Sequence, residues 1–432
     1  MANIDRTITP PVSELPIRSF PKAQNGFLPG CNVPFECLSG FDAQPVSRIS
    51  LFWPIGNADV DSCSTLSILK PMLTEGCEGY SGAEIAKTLE YNGAWFKIDS
   101  GRHNTIATLH LLNKTAPKVM PLLSRLLFTP TFPDEALARL KEKAIAAERI
   151  QQQQIKTLAL RLGNDMVFGH DAPASRMPTP ECLAEVCRDD LELCHKRLFK
   201  SICPTMFMAG DITDHILSLA GEIDFPVLQG CGYCQNIVAA PPLTVSATET
   251  AIKHDSLQTA VRMLIPAINS DHPDYYPLLV AVYALGGYFG SRLMSNIREQ
   301  KGYTYGITAS LLPSKEGAFI SISCETDNRF AQKVLKEIEF EIERLANSSI
   351  TLEELRTIRR SALSGIQSSL DSPFTALDNL IVGHAFGFDA AQSFINRQQA
   401  FIEASPESIS LTTRKYLLNA PKAIALAGNP EK

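Results

Sequence analysis

The run Asp271–Ser310, DHPDYYPLLVAVYALGGYFGSRLMSNIREQKGYTYGITAS, decides how this chain is read. YYPLLVAVYALGG is apolar on every side, which marks a buried helix. It ends at Gly286 and Gly287, with Gly290 close behind. Glycine there permits left-handed backbone or close approach of another segment. FGSRLMSNIREQKG then reads as a second helix and TYGITASL as a strand. No Lys-Ser/Thr follows the glycines, so they are not a phosphate loop.

Outward from this run the pattern continues. TAVRMLIPAI before it and AFISISCE after it read as strands. DNRFAQKVLKEIEFEIERL and TLEELRTIRRSALSGIQSSL read as long helices. The same order occurs earlier in the chain. Ser47–Gly56 is a buried strand, Ser64–Thr74 a helix, and Ser81–Tyr91 a second helix. Ser81 and Glu84 form a capping-box pattern at the start of that helix. Strands follow at Ala94–Ile98 and Thr105–Leu112, a helix at Lys114–Leu127, and a long helix from Asp134 through Glu148 into a run of glutamines. LEYNGAWF (Leu89–Phe96) and IREQKGYT (Ile297–Thr304) fall at matching places. The chain is therefore an internal duplication with a period of about 200 residues, too long for a solenoid repeat. The Pro- and Gly-rich first fifty residues read as an extended lead-in, and Phe225–Thr248 as a linker. The expected organisation is α+β, two domains of similar topology at 1–225 and 249–432 joined by 226–248. Each is a mostly antiparallel sheet with helices on one face.

Composition narrows the function classes. The 432 residues are 45% hydrophobic and 20% charged, with a net charge of -6. That composition suits a globular protein and gives no electrostatic case for nucleic acid or an acidic membrane. No apolar run is long enough to span a bilayer, and the N-terminus lacks the basic and apolar regions of a signal peptide. Eleven scattered cysteines fit reduced thiols and a cytoplasmic location. Cys231 and Cys234 have CxxC spacing, but no second pair completes a zinc site; a turn with two thiols is the expectation. Among the histidines, His103 and His110 are seven apart and match no metal motif, His170 reads as a loop residue, and His384 as a core residue.

The Gly-Gly turn, Ser291-Arg292-Leu293 and the Arg298-Glu299-x-x-Gly302-x-x-Tyr305 stretch together resemble the C-terminal domain signature of the pitrilysin/insulinase metallopeptidase superfamily. SGAEIAKTLEYNGAWFKIDSG and the duplicated layout resemble its N-terminal domain. Active members are inverzincins. Their H-x-x-E-H places two zinc-binding histidines one helical turn apart with a general-base glutamate between them, and a distal glutamate completes the site. In this chain the aligned positions are Ser67, Lys70 and Pro71. A lone hydroxyl is a poor zinc ligand, an ammonium repels a dication, and proline has no donor atom. Glu148 falls at the distal glutamate's place, left without its companions, with Lys70 as its candidate partner. Pro71 is expected to kink the helix or delay its start.

The resemblance implies a zinc-free, non-catalytic subunit that closes a peptidase chamber around an extended peptide. The partner would carry zinc in an intact HxxEH. By resemblance, Arg298 and Tyr305 would contact the substrate backbone carbonyl region, beside the Gly286–Gly287 loop, with Arg292 and Tyr303 as lesser candidates. Two such donors aimed at a developing oxyanion are the electrostatics that peptide hydrolysis needs. The alternative is a peptide-binding or structural scaffold, as a homodimer or within a larger complex. No Ser-His-Asp cue or carboxylate pair suggests an independent catalytic site.

Overall fold

A computed structural model describes residues 15–39, 44–226, 235, 237–348 and 350–430. Cys231 and Cys234 lie outside these residues. The first half runs β1 (Gln24–Phe27), β2 (Pro34–Leu38), β3 (Val46–Trp53), α1 (Cys63–Met72), a small ribbon of β4 (Gly76–Cys77) and β5 (Tyr80–Ser81), and α2 (Gly82–Tyr91). It continues with β6 (Trp95–Ser100), β7 (Thr105–Leu112), α3 (Ala116–Phe128), α4 (Asp134–Gln153), α5 (Ile155–Phe168), α6 (Pro180–Glu185), α7 (Arg188–Phe199), β8 (Thr205–Gly210) and α8 (Asp214–Gly221). The second half has β9 (Ala247–Ile252), β10 (Gln258–Pro266), α9 (Tyr275–Gly286), a wide helical turn at Met294–Gln300, β11 (Thr304–Leu312) and β12 (Phe319–Asp327). It closes with α10 (Ala331–Asn347), α11 (Leu352–Ser368), α12 (Pro373–Phe386), α13 (Ala390–Glu403), α14 (Pro406–Tyr416) and β13 (Ala423–Gly428).

The two large sheets have one topology. The first is ordered β1-β2-β8-β3-β7-β6 and the second β9-β13-β10-β12-β11, read from the matching side. Each has a single parallel pair, at the same place: β2 with β8, and β13 with β9. Every other pair in them is antiparallel. The lead-in expected before residue 50 is thus part of the first sheet, because β2 supplies the strand that β9 supplies in the second. β9 starts at Ala247, inside the stretch expected to be linker.

The duplication reaches single residues. Gly93 (φ 62°) and Gly302 (φ 64°) make the same left-handed turn into β6 and β11. Gly210 and Gly428 end β8 and β13 with φ of 110° and 143°. A Cβ on Gly210 would collide with the Val46 carbonyl oxygen; on Gly428 it would lie 2.5 Å from that of Gln258. Beside each glycine is an asparagine knot. Ser47 Oγ donates to Asn113 Oδ1 (2.7 Å), and Asn113 Nδ2 donates to the Asp211 carbonyl (2.6 Å). In the second half Thr259 Oγ1 donates to Asn328 Oδ1 (2.8 Å), which also accepts from the Asn429 amide (3.4 Å).

Alternation along the strands sorts two cores. Ile49, Leu51 and Trp53 of β3 point into a core with α1, α3 and α7; Val261, Met263 and Ile265 of β10 point into one with α9 and α10. The sequence leads one to expect helices on a single face. In addition, each sheet's opposite face receives helices of the other half. α5 lies on β10 and β13, with Ala159 against Ala260 and Ala427, and Val167 against Leu264. α12 lies on β8, where Leu377 and Ile381 pack with Phe52 and Phe207, and Arg48 pairs with Asp378 at 2.7 Å. The N-terminal segment is strapped to α13, where Gln398 Nε2 donates to the Arg18 carbonyl (2.8 Å).

Candidate functional site

The first candidate region is the end of α1. Ser62 caps the helix, accepting from the Thr65 amide at 3.2 Å, so the helix neither starts late nor waits for Pro71. Pro71 stands next to the last helical residue, where a missing N–H removes only one bond in the closing turn. Ser67 Oγ donates to the Ser64 carbonyl (2.8 Å), using the hydroxyl proton on its own helix. Lys70 is half-buried; burial lowers its pKa, opposed by the Asp99 carboxylate on β6. Glu148 does not meet Lys70 as an ion pair; it is bound by Arg161 of α5, whose NH2 also donates to the Pro178 carbonyl (2.9 Å). A guanidinium answers the Glu148 carboxylate, and the donors at 67, 70 and 71 do not fit zinc. No group of three His, Cys, Asp or Glu is placed to hold a metal among the described residues.

The second region lies in the second half. Gly286 is buried against β11, where a Cβ would sit 2.6 Å from that of Ala309. Neither Gly286 nor Gly287 has left-handed backbone, so close packing and not turn geometry explains the pair. Gly287 and Phe289 are exposed. Arg298 lies over the Phe289 ring at 4.4 Å, a cation–π platform that fixes the guanidinium at the surface. Tyr305 occupies an irregularity between Thr304 and Ile307 on β11, the edge strand. Such a bulge re-aims a side chain, and Tyr305 is 93% exposed. Arg292 instead is internal: its Nε and NH2 bind both oxygens of Glu354 (2.8 and 3.1 Å) on α11. Tyr303 stacks on Phe330 at 4.6 Å.

A third cluster, which the sequence does not announce, joins the halves. His103 Nδ1 is 3.1 Å from both Asp59 oxygens, and Nε2 is 2.5 Å from Glu316 Oε1. All three side chains are under 10% exposed. Burial by itself would lower the His103 pKa; hydrogen bonds to the two carboxylates outweigh it and hold the pKa at about 9. Burial likewise works against the Glu316 charge, but His103, Ser314 and Arg102 bring its pKa down to about 2. The cluster is a charged imidazolium between two carboxylates. Of the other histidines, His170 is exposed beside Asp165 and His384 packs edge-on to Phe52 and Phe207. His110 lies between Trp95 and Phe374.

Comparisons with known proteins agree with this architecture. Residues 66–172 match the family described as insulinase (peptidase family M16), and residues 186–362 match the peptidase M16 inactive domain. The non-peptidase homolog YmxG of Helicobacter pylori is 23% identical over 310 residues, 71% of each chain. The uncharacterized zinc protease YmxG of Bacillus subtilis is 22% identical over 307 residues, 70% of this chain and 74% of that one. The crystal structure of a peptidase M16 inactive domain from Pseudomonas fluorescens superposes with a TM-score of 0.83 at 21% identity, covering 94% of this chain and 98% of the other. Among the described residues, no helix is long and apolar enough to cross a membrane.

Proposed function

Since the chain belongs to the insulinase-like peptidase family M16 and lacks that family's zinc ligands, we propose that it is the non-catalytic subunit of a two-chain zinc endopeptidase. It closes the chamber and holds extended peptide for a partner of the same family with an intact HxxEH and its zinc. The observation that carries this reading is a contrast. The metal positions are replaced, while Arg298, half-exposed over Phe289, and Tyr305, fully exposed, are kept as donors whose side chains make no hydrogen bond among the described residues. Tyr305 offers a phenolic O–H and Arg298 a guanidinium beside the exposed Gly287 turn, a set suited to a peptide carbonyl that gains negative charge. The described cysteines are free thiols, which suits a reducing compartment, and we place the protein in the cytoplasm.

The test is a tagged pull-down from the native cell, followed by assay of the reconstituted pair. A near-stoichiometric partner with HxxEH is expected. Arg298→Ala and Tyr305→Ala are each expected to lower turnover about a hundredfold, the scale of losing one oxyanion donor, with no change in melting temperature. Full turnover in the double variant would overturn the assigned roles. The second reading, a peptide-binding or structural scaffold, is favoured by the printed description of the Helicobacter relative as a non-peptidase. A homodimer, or a partner outside the family, would select it.

A further inference from the structure

An open groove of about 580 Å³ lies between α5 and the sheet around β11 and β12. Lys156, Ala159 and Leu160 line it from α5, and Arg262, Thr308 and Ser323 from the sheet. Tyr305 is part of the same lining. Arg262 is on β10, on the face that α5 covers, and Gly163 makes room for its stem. A Cβ at Gly163 would sit 3.2 Å from Arg262 Cδ and 3.4 Å from its Nε. Glycine inside a helix costs roughly 1 kcal/mol against alanine, so the passage of this side chain is a built feature.

The guanidinium that Gly163 admits lacks a counter-ion among the described residues. Its Nε is buried without a hydrogen-bond partner among the described residues. Burial lowers its pKa, and the charge that adds to burial is the neighbouring Arg102, of the same sign. Arg102 is itself engaged with Glu316 and Ser314. A partly buried guanidinium beside another cation, with no carboxylate to answer it, is costly unless an anion arrives from outside. Glu325 is the acidic residue in the lining, exposed on β12, against the two cations Lys156 and Arg262.

We propose that this groove binds a carboxylate of an extended peptide, with Arg262 as its counter-ion, Lys156 as a second cation, and the Thr308 and Ser323 hydroxyls as further donors. Arg suits this task because its planar fork binds a carboxylate with two parallel hydrogen bonds. The inference rests on the peptide-binding reading above. The carboxylate comes either from the peptide's C-terminus or from an Asp or Glu side chain.

Fluorescence anisotropy on the full chain separates these sources. One labelled peptide of Ala, Ser and Val is made in three forms: free C-terminal acid, amidated with one internal Glu, and amidated with no acid. At least one acidic form is expected to bind roughly tenfold or more tighter than the neutral one, and Arg262→Gln is expected to remove that advantage. Equal binding of all three forms, or an advantage that survives Arg262→Gln, overturns the site. Lys156→Gln, a change at an exposed side chain, is expected to reduce the advantage in part and serves if Arg262→Gln does not fold. In parallel, succinate is titrated against the Arg262 Nε–Hε NMR resonance. A succinate shift without peptide binding upholds the carboxylate site and removes the peptide reading. Peptide binding without any carboxylate preference does the reverse, and silence in both experiments removes both.

Discussion

Replacing His103 with Gln should cost the protein much of its stability, and only below a defined pH. In the native state the imidazolium answers two carboxylates, Asp59 from its own half and Glu316 from the other. A pKa raised from 6.5 to about 9 corresponds to about 3 kcal/mol at 1.36 kcal/mol per unit. Because the native state holds this proton more tightly than the unfolded chain, the contribution is complete below pH 6.5 and is lost as pH rises towards 9. Glu316 contributes with the opposite sign. Its depressed pKa of about 2 gives stability that is present above its ordinary 4.5 and lost as pH falls towards 2. The two terms describe one set of contacts and are not to be added. In urea, buried Trp53 provides a fluorescence signal from the first-half core. The wild type should lose about 3 kcal/mol between pH 6.5 and 9.5. His103→Gln should be about 3–5 kcal/mol weaker at pH 6.5, because it leaves buried carboxylates unanswered, and nearly flat over the same window. His103→Gln with Glu316→Gln should recover part of the loss. If the single variant follows the wild-type slope from pH 6.5 to 9.5, the pH dependence arises elsewhere and the reasoning fails.

Gly210→Ala and Gly428→Ala should each prevent proper folding or cost several kcal/mol, since each forces a Cβ onto a neighbouring carbonyl at positive φ; soluble yield and urea midpoint would show it, and a loss below about 1 kcal/mol would contradict the steric argument. Glu354→Gln should destabilise by about 3 kcal/mol, because Arg292, 7% exposed, loses the carboxylate that binds it at both oxygens; a neutral result in thermal melts would place the ion pair among the dispensable ones. Ser67→His with Lys70→Glu and Pro71→His restores the missing groups, yet Arg161 still binds Glu148. Zinc by calorimetry should therefore bind weakly to that triple variant and at least about tenfold tighter once Arg161→Ala is added; equal affinity with and without Arg161 would show that the guanidinium does not compete.

What the sequence made legible was whatever local periodicity and spacing could carry. The capping box at Ser81 and Glu84 forms as read, with the Ser81 amide donating to Glu84 at 2.9 Å. The double glycine, the strand pairs and the duplicated order were visible because each repeat has its own apolar rhythm. α5 was not. Its sequence, IKTLALRLGNDMVF, begins immediately after α4 with no side-chain cap and contains Gly163, so no signal separated it from the glutamine run. The lead-in strands escaped because β2 owes its place to pairing with β8, well over a hundred residues on. His103 escaped for the same reason: its partner Glu316 is 213 positions away and nothing near either residue marks the pair. Arg161, which binds Glu148, lies on this same α5, so the pairing leaves no local mark in the sequence.

The crossed helices have a bearing on how such a chain came to exist. α5 covers the far face of the second sheet and α12 that of the first, so neither half, cut loose, has a shelter for the apolar residues on that side. A single-repeat ancestor would have met the same need only as a two-fold dimer whose copies traded one helix. Within one chain the two copies are free to differ: Ser67, Lys70 and Pro71 stand in the first, Arg298 and Tyr305 in the second. By the same logic, a chain severed between β8 and β9 should hold together as two mutually dependent fragments, recoverable when co-expressed and insoluble when made apart.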